Sequence, residues 1–293
     1  MAAVRLNQSP APTFSWLGVN GTERELPETA AEETVISGDS SNLVRITAEQ
    51  SAKVVISGGK QPRTVIMDVN AEKAFVSTAV RAESGERIRL VQIVTGGETV
   101  LDLNAELAEN AVLELVQLYL NTADCVSGIT VNMNGRKSAF SSQIGYTLAG
   151  SDALDINLNI VQNGKKTASD TAVKGVLRGT AKKIFRGTID FRNGAAGSAG
   201  TEQEHVLLLD ETVVNKTVPV SLCAEEDVAG THGATIGRVD PKQIFYMQSR
   251  GIPEAQIYEL LAQSQLGSVV RQIGDAETEQ RVNRLLGREQ ADE

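Results

Sequence analysis

The sequence predicts a mainly β protein with a small α-helical appendage at its C-terminus, and three observations carry that expectation. Short segments with a period near two follow one another from about Thr34 to Val220, glycine, asparagine and aspartate punctuate them, and the spacing turns helical after Asp240. Many short strands with few helices fit either a sandwich or barrel of hairpins, or a β-solenoid whose strands stack on the equivalent strands of adjacent coils. Tight Asn-Gly loops are scarce, Asn134-Gly135 and Asn163-Gly164 being exceptions. Junctions such as "LNAELAENAVLEL" read as corners rather than reversals, which favours the solenoid.

Taken in order, residues 1–33 form a lead-in that opens "MAAVRLNQSPAPTFSWLGVNGTE" and has no apolar run of signal-peptide length. The β body is expected over 34–239. Its clearest strand is "LDINLNIVQ", which puts Leu154, Ile156, Leu158 and Ile160 on one face and Asp155, Asn157 and Asn159 on the other, one buried and one wet. Similar runs are "RIRLVQIV" (87–94), "VLELVQLYL" (112–120), "KKIFRGTIDF" (182–191) and "VNKTVPVSL" (214–222). "DPKQIFYMQSRG" then offers Asp240 as N-cap, Pro241 at the first helical position and Gly251 as a stop. "IPEAQIYELLAQSQLG" restarts with Pro253 and spaces Ile257, Leu260 and Leu261 helically, and a third helix over about 276–287 runs into a charged tail. Residues 240–293 are thus a helical handle on a rigid body, a natural docking element for a partner.

Composition narrows the function. A formal charge of −9 with no basic stripe disfavours nucleic-acid binding, which is driven by cationic side chains releasing phosphate counterions. No window approaches the roughly 18 to 20 apolar residues of a membrane span. Two cysteines, Cys125 and Cys223, make neither a disulfide framework nor a CxxC zinc motif, so a reducing cytoplasm is the expected compartment. Walker, GxSxG and HExxH motifs are missing, and "GAAGSAG" (194–200) lacks the Lys-Ser/Thr of a phosphate loop and reads as a turn. The chain is therefore expected to be no enzyme and to hold no ATP site. A β-helical carbohydrate lyase or esterase is the distant alternative, disfavoured by a 4% aromatic content.

Chemistry concentrates in "CAEEDVAGTHGATIG" (223–237), which brings one of two cysteines and one of two histidines close together. If the strand alternation continues, Cys223 and Glu225 project to one side and Glu226 to the other, with His232 following a short turn. One soft and several harder ligands of this kind can hold iron weakly, whereas permanent iron–sulfur sites generally use four cysteinates. The neighbouring acids disfavour Cys223 as a free nucleophile. Cys125 is expected to be a buried structural thiol, and His205 a structural or surface residue.

The segment "GTHGATIGRVDPKQIFYMQSRGI" (230–252) resembles the C-terminal signature of the SufB/SufD family, scaffold subunits of the Suf iron–sulfur cluster assembly system. "VLRGTAKKIFRGTIDFRNGAAGSAG" (176–200) is similar to the family's "FRG" followed by a strand and a Gly-rich turn, and "RLNQSPAPTFSWLGVN" to its lead-in. The resemblance implies a right-handed parallel β-helix that pairs, through its end, with a SufB-like subunit or a second copy. It implies docking of a SufC-type ABC ATPase on the C-terminal helices, where Phe245, Tyr246, Arg250, Ile257, Leu260 and Leu261 are the candidate contacts. A transient iron–sulfur cluster would form at the junction on Cys223 and His232, with Glu225 or Glu226 as co-ligands, and pass to apo acceptor proteins. Gly230 stands where some members have cysteine, and "NGKKTASD" (163–170) lacks upstream histidines. The chain is therefore closer to SufD, or to a compact SufB/SufD relative, and a noncatalytic structural partner of a SufB subunit is the second reading.

Overall fold

A computed structural model describes residues 3–13, 15–26, 32–47 and 50–287. Residues 27–31 of the lead-in and the charged tail after Gly287 lie outside the described residues. The described residues of 3–26 form a two-stranded antiparallel ribbon, β1 (Ala3–Leu6) with β2 (Thr22–Glu25), interrupted by a 3-10 turn at Ser15–Leu17. Thirteen strands follow, and every pairing described among them is parallel. They are β3 (Glu32–Ser37), β4 (Asn42–Ile46), β5 (Gln50–Ser57), β6 (Arg63–Ala82), β7 (Arg87–Leu107), β8 (Val112–Met133) and β9 (Ala139–Leu148). Next come β10 (Ala153–Gln162), β11 (Ala168–Leu177), β12 (Lys182–Phe191), β13 (Ser198–Leu208), β14 (Val214–Cys223) and β15 (Val228–Arg238).

These strands wind into a β-solenoid of about seven turns, as the corners in the sequence predict. One face stacks β4, the first halves of β6, β7 and β8, then β9, β11, β13 and β15. The opposite face stacks β3, β5, the second halves of β6, β7 and β8, then β10, β12 and β14. The two Asn-Gly pairs are corners. Asn163 Nδ2 donates to Asn134 Oδ1 one coil below at 2.8 Å. A Cβ on Gly164 would stand 2.4 Å from the Gly135 carbonyl oxygen, so stacked corners this tight require glycine.

Period-two alternation supplies the core between the faces. Leu154, Ile156, Leu158 and Ile160 point inward and are fully or almost fully buried, as is Phe185 on the next coil. Each such side chain contributes about 1.5–3 kcal/mol by leaving water. Cys125 is inside this core, where burial first, and the Asp124 and Asp155 carboxylates second, push its thiol pKa up.

The outer surfaces are less wet than alternation alone predicts, because both ends of the chain fold back on them. Helices α1 (Pro241–Ser249), α2 (Glu254–Val270) and α3 (Ala276–Leu285) follow the last coil. Leu266, Val269 and Val270 of α2, with Ile273 and Val282, pack on Ile66, Val91, Ile93, Val116, Leu118 and Leu120, the outward residues of the first face. That second apolar row is why "RIRLVQIV" and "VLELVQLYL" are hydrophobic on both sides. Lys174 Nζ donates to Ser268 Oγ at 2.7 Å, Gln265 to the His205 carbonyl at 2.9 Å, and Arg281 pairs with Asp68 at 3.0 Å.

The lead-in lies across the other face. Asn7 Nδ2 donates to Asp155 Oδ1 at 2.6 Å, Arg24 binds Asp124 in a bidentate pair at 2.7 and 2.9 Å, and Arg186 donates to the Val19 carbonyl. Asp155, expected on a solvated face, is therefore buried. No helix among the described residues is long and apolar enough to cross a membrane.

Candidate functional site at the open end of the solenoid

Among the described residues, β14 and β15 pair only with the coil beneath them, so both are edge strands and the last coil is exposed at its end. Alternation along β14 is inverted relative to β10. Register places Asn215, Thr217, Pro219, Ser221 and Cys223 inward, above Lys183, Phe185, Gly187, Ile189 and Phe191. Val214, Lys216, Val218, Val220 and Leu222 point outward. The interior consequently turns from apolar to polar as it approaches the open end.

His232 is an inward residue of β15 and stacks directly on Glu202 of β13. Its Nδ1 lies 3.3 Å from Glu202 Oε1 and its Nε2 2.7 Å from Ser221 Oγ. A carboxylate only accepts, so Nδ1 carries a proton toward Glu202, and in the neutral ring Nε2 accepts from the Ser221 hydroxyl. Glu202 thus orients the ring and leaves Nε2 facing Ser221 of β14, as a carboxylate does behind a metal-binding histidine. Glu202 is buried, and its Oε2 has no hydrogen-bond partner among the described residues. Gly187 makes the space for it, since a Cβ there would fall 1.8 Å from Oε2. The three residues of "FRG" therefore do three different things. Phe185 fills the core, Arg186 holds the lead-in, and Gly187 admits Glu202.

Deeper inside, Lys183 is ion-paired with Glu204, both wholly buried. Thr217 closes the triangle, accepting from Lys183 Nζ at 3.1 Å and donating to Glu204 Oε2 at 2.7 Å. Burial lowers the Lys183 pKa and Glu204 opposes that shift, while burial, aided by Glu204, raises Tyr146 well above its usual range. Tyr146 stands next in this column, its ring 6.0 Å from Lys183 Nζ.

Cys223 and His232 are thus brought to one end, with Cys223 a free, exposed thiol two residues from Ser221 on the same strand face. Glu225 is not on that face. The strand ends at Cys223, and Glu225 instead accepts the Gly194 N–H at 3.0 Å, so its carboxylate caps the preceding Gly-rich corner. That hydrogen bond, followed by others from the backbone N–H groups of Glu226 and Asp227, lowers its pKa. Glu226 follows it into the turn and is exposed. Glu202 and Ser221 are the site residues that sequence reasoning missed. Their signal is only that they fall on the inward parity of β13 and β14, which cannot be read without the register.

Beyond the end, α1 starts at Asp240, whose side chain accepts the Lys242 N–H at 2.9 Å, and none of its residues is buried. Phe245 is 72% and Tyr246 58% exposed, with the Arg250 guanidinium 5.2 Å from the Tyr246 ring centre. Leu260 is exposed and Leu261 half-buried, but Ile257 is completely buried. Ile257 therefore serves packing within the chain and offers no docking surface.

Fold and site together define a parallel β-solenoid that gathers a thiol, an oriented imidazole and a buried ionic column at the end beyond which no described strand stacks. The chain belongs to the SufBD core family of SUF system FeS cluster assembly, whose family model matches residues 31–265. It is 29% identical over 154 residues to the iron–sulfur cluster assembly protein SufD of Bacillus subtilis, covering 53% of this chain and 35% of that protein. A SufBD family protein of Mycobacterium bovis is 25% identical over 204 residues, 68% of this chain and 24% of the relative. One from Staphylococcus haemolyticus is 25% identical over 126 residues, 43% and 27% respectively. The chain spans about a third or less of the length of these relatives.

Proposed function

We propose that this protein is a noncatalytic scaffold subunit on which iron and sulfide assemble transiently where two solenoid ends meet. The observation that carries this reading is the Glu202–His232–Ser221 line at the open end, which presents a basic Nε2 beside the strand bearing free Cys223. The cluster is cargo: a thiolate and an imidazole bind iron, and a set this small releases it to apo acceptor proteins. The unpaired edges of β14 and β15 suit addition of strands from a second subunit, a SufB-like chain or another copy. Two free thiols and no disulfide suit a reducing cytoplasm.

Anaerobic reconstitution with ferrous iron and sulfide tests the site. Cys223→Ala and His232→Ala are expected to abolish most bound iron, and Glu202→Gln, which removes the carboxylate but keeps the shape, to weaken retention by about 10–100-fold. Equal iron and sulfide content in parent and variants would sink the assignment. If all variants and the parent bind nothing alone but a SufB-like partner does, the second reading, a structural partner, is the correct one.

A SufC-type ABC ATPase docks, in this proposal, on α1, because Phe245 and Tyr246 are large, solvent-facing and uninvolved in the core. Replacing both by alanine should weaken ATPase capture more than tenfold, while stability changes by no more than about 0.5 kcal/mol, as at surface sites generally. Undiminished capture would move the docking surface elsewhere.

A further inference from the structure

The apolar row that α2 and α3 cover on the first face runs one strand further than the helices do. Val116 stacks on Val91, Val91 on Ile66, and Ile66 on Leu43 of β4. Ile66 is packed with the helices, whereas Leu43 is 49% exposed. Together they floor a cleft of about 390 Å³ between the first coils and α3, within the roughly 300–1,000 Å³ of small-molecule sites. The cleft is on β4 and β6, far along the stack from His232 on β15.

Its charged groups gather at one end. Arg45 stands beside Asp68 in register, Asp68 pairs with Arg281 at 3.0 Å, and Arg284 is one turn further along α3 on the same helix face. Three guanidinium groups therefore share one carboxylate. Arg45 and Arg284 are exposed, and neither side chain has a hydrogen bond or ion pair among the described residues. The other acids of the lining do not compensate. Asp275 is committed to the Thr278 N–H at 2.8 Å, and Glu277 precedes Arg284 by seven residues, about 10 Å along the helix.

We propose that this cleft binds a small organic anion, a carboxylate or phosphate head group on a short apolar body. The head lies between Arg45 and Arg284, whose forked donors suit either oxyanion, and the body covers Leu43 and Ile66. An inorganic anion would leave Leu43 wet, and a neutral apolar molecule would leave the two free guanidinium groups without a counter-charge. Because Arg45 belongs to the first face and Arg284 to α3, an occupant bridging them fastens the last helix to the solenoid. The site is independent of the cluster reading above and stands or falls apart from it.

Calorimetric titration of the full chain with hexyl phosphate, hexanoate, inorganic phosphate, hexanol and hexylammonium tests this. The two hexyl anions should bind most tightly, raise the melting temperature and lose affinity as salt is added. The double variant Arg45→Gln/Arg284→Gln should weaken them by more than about tenfold, the loss of charge-assisted hydrogen bonds. Leu43→Ser should bring hexyl phosphate down to the affinity of inorganic phosphate. All three side chains are exposed, so the melting temperature of the unliganded variants should match the parent's. Inorganic phosphate binding as tightly as hexyl phosphate overturns the apolar floor. Hexanol or hexylammonium binding as tightly as the anions overturns the cationic head site. Binding of none of these compounds, or affinities unchanged in the variants, overturns the site itself.

Discussion

Lys183→Met will destabilise the protein by about 3–5 kcal/mol, the range observed when one partner of a buried ion pair is removed. Lys183 and Glu204 have side chains 0% and 1% exposed, so neither keeps solvent contact that could compensate. Methionine matches the lysine stem in length and hydrophobicity, and packing therefore changes little. What is lost is the counter-charge to Glu204, which then shares the interior with Glu202 and retains only the Thr217 hydroxyl. The double variant Lys183→Met/Glu204→Leu should recover most of the loss, because two charges leave the core together. Urea denaturation midpoints of the parent, both singles and the double give the coupling. A single variant within about 1 kcal/mol of the parent would show that the pair is not the support of the polar interior.

The solenoid is legible in the sequence because period-two alternation and corner glycines are local properties, and the helices because their caps are. "LDINLNIVQ" correctly places Leu154 to Ile160 in the core. It cannot show that Asp155 is buried, since that depends on a lead-in residue 148 positions away. The same limit applies at the site. Cys223 and His232 stand out as rare residue types, but Glu202 and Ser221 act through stacking of coils, and stacking register is a long-range quantity. "VNKTVPVSL" announces its alternation without saying which row faces inward. The apolar row faces outward here, a choice that matters only at the final coil, where no further described strand covers the end. Glu225 departs from expectation because the strand stops at Cys223 instead of running on, enough to turn a carboxylate away from the thiol and into a corner. Ile257 shows the converse: helical spacing identifies an apolar stripe on α2, and burial shows that the chain itself, rather than a partner, takes its deepest residue.

Arg186→Met should release the lead-in and cost about 3–5 kcal/mol, again the penalty of leaving a buried charge unpaired. Arg186 is almost wholly buried, and it joins three parts of the chain at once. Its two terminal nitrogens bind Asp155 at 2.5 and 3.2 Å, and its Nε donates to the Val19 carbonyl. Without it Asp155 keeps only Asn7, and the span from β1 to β2 is left with that Asn7 contact, the part-exposed Arg24–Asp124 pair, worth at most about 1 kcal/mol, and Lys216, which donates to the Leu17 carbonyl. Arg186→Lys should fail to rescue, because an ammonium cannot offer the planar fork that satisfies a carboxylate and a carbonyl together. Limited proteolysis should then cut within residues 3–25 at conditions where the parent resists, and tryptophan quenching should rise as the Ser15–Leu17 turn leaves Lys216. With the lead-in released, the half-buried outer row Val218, Val220 and Leu222 becomes more exposed, so the variant should also aggregate more readily than the parent. Continued protection of residues 3–25 in Arg186→Met would mean that the ribbon is held by its smaller contacts, and that Arg186 serves only to neutralise Asp155.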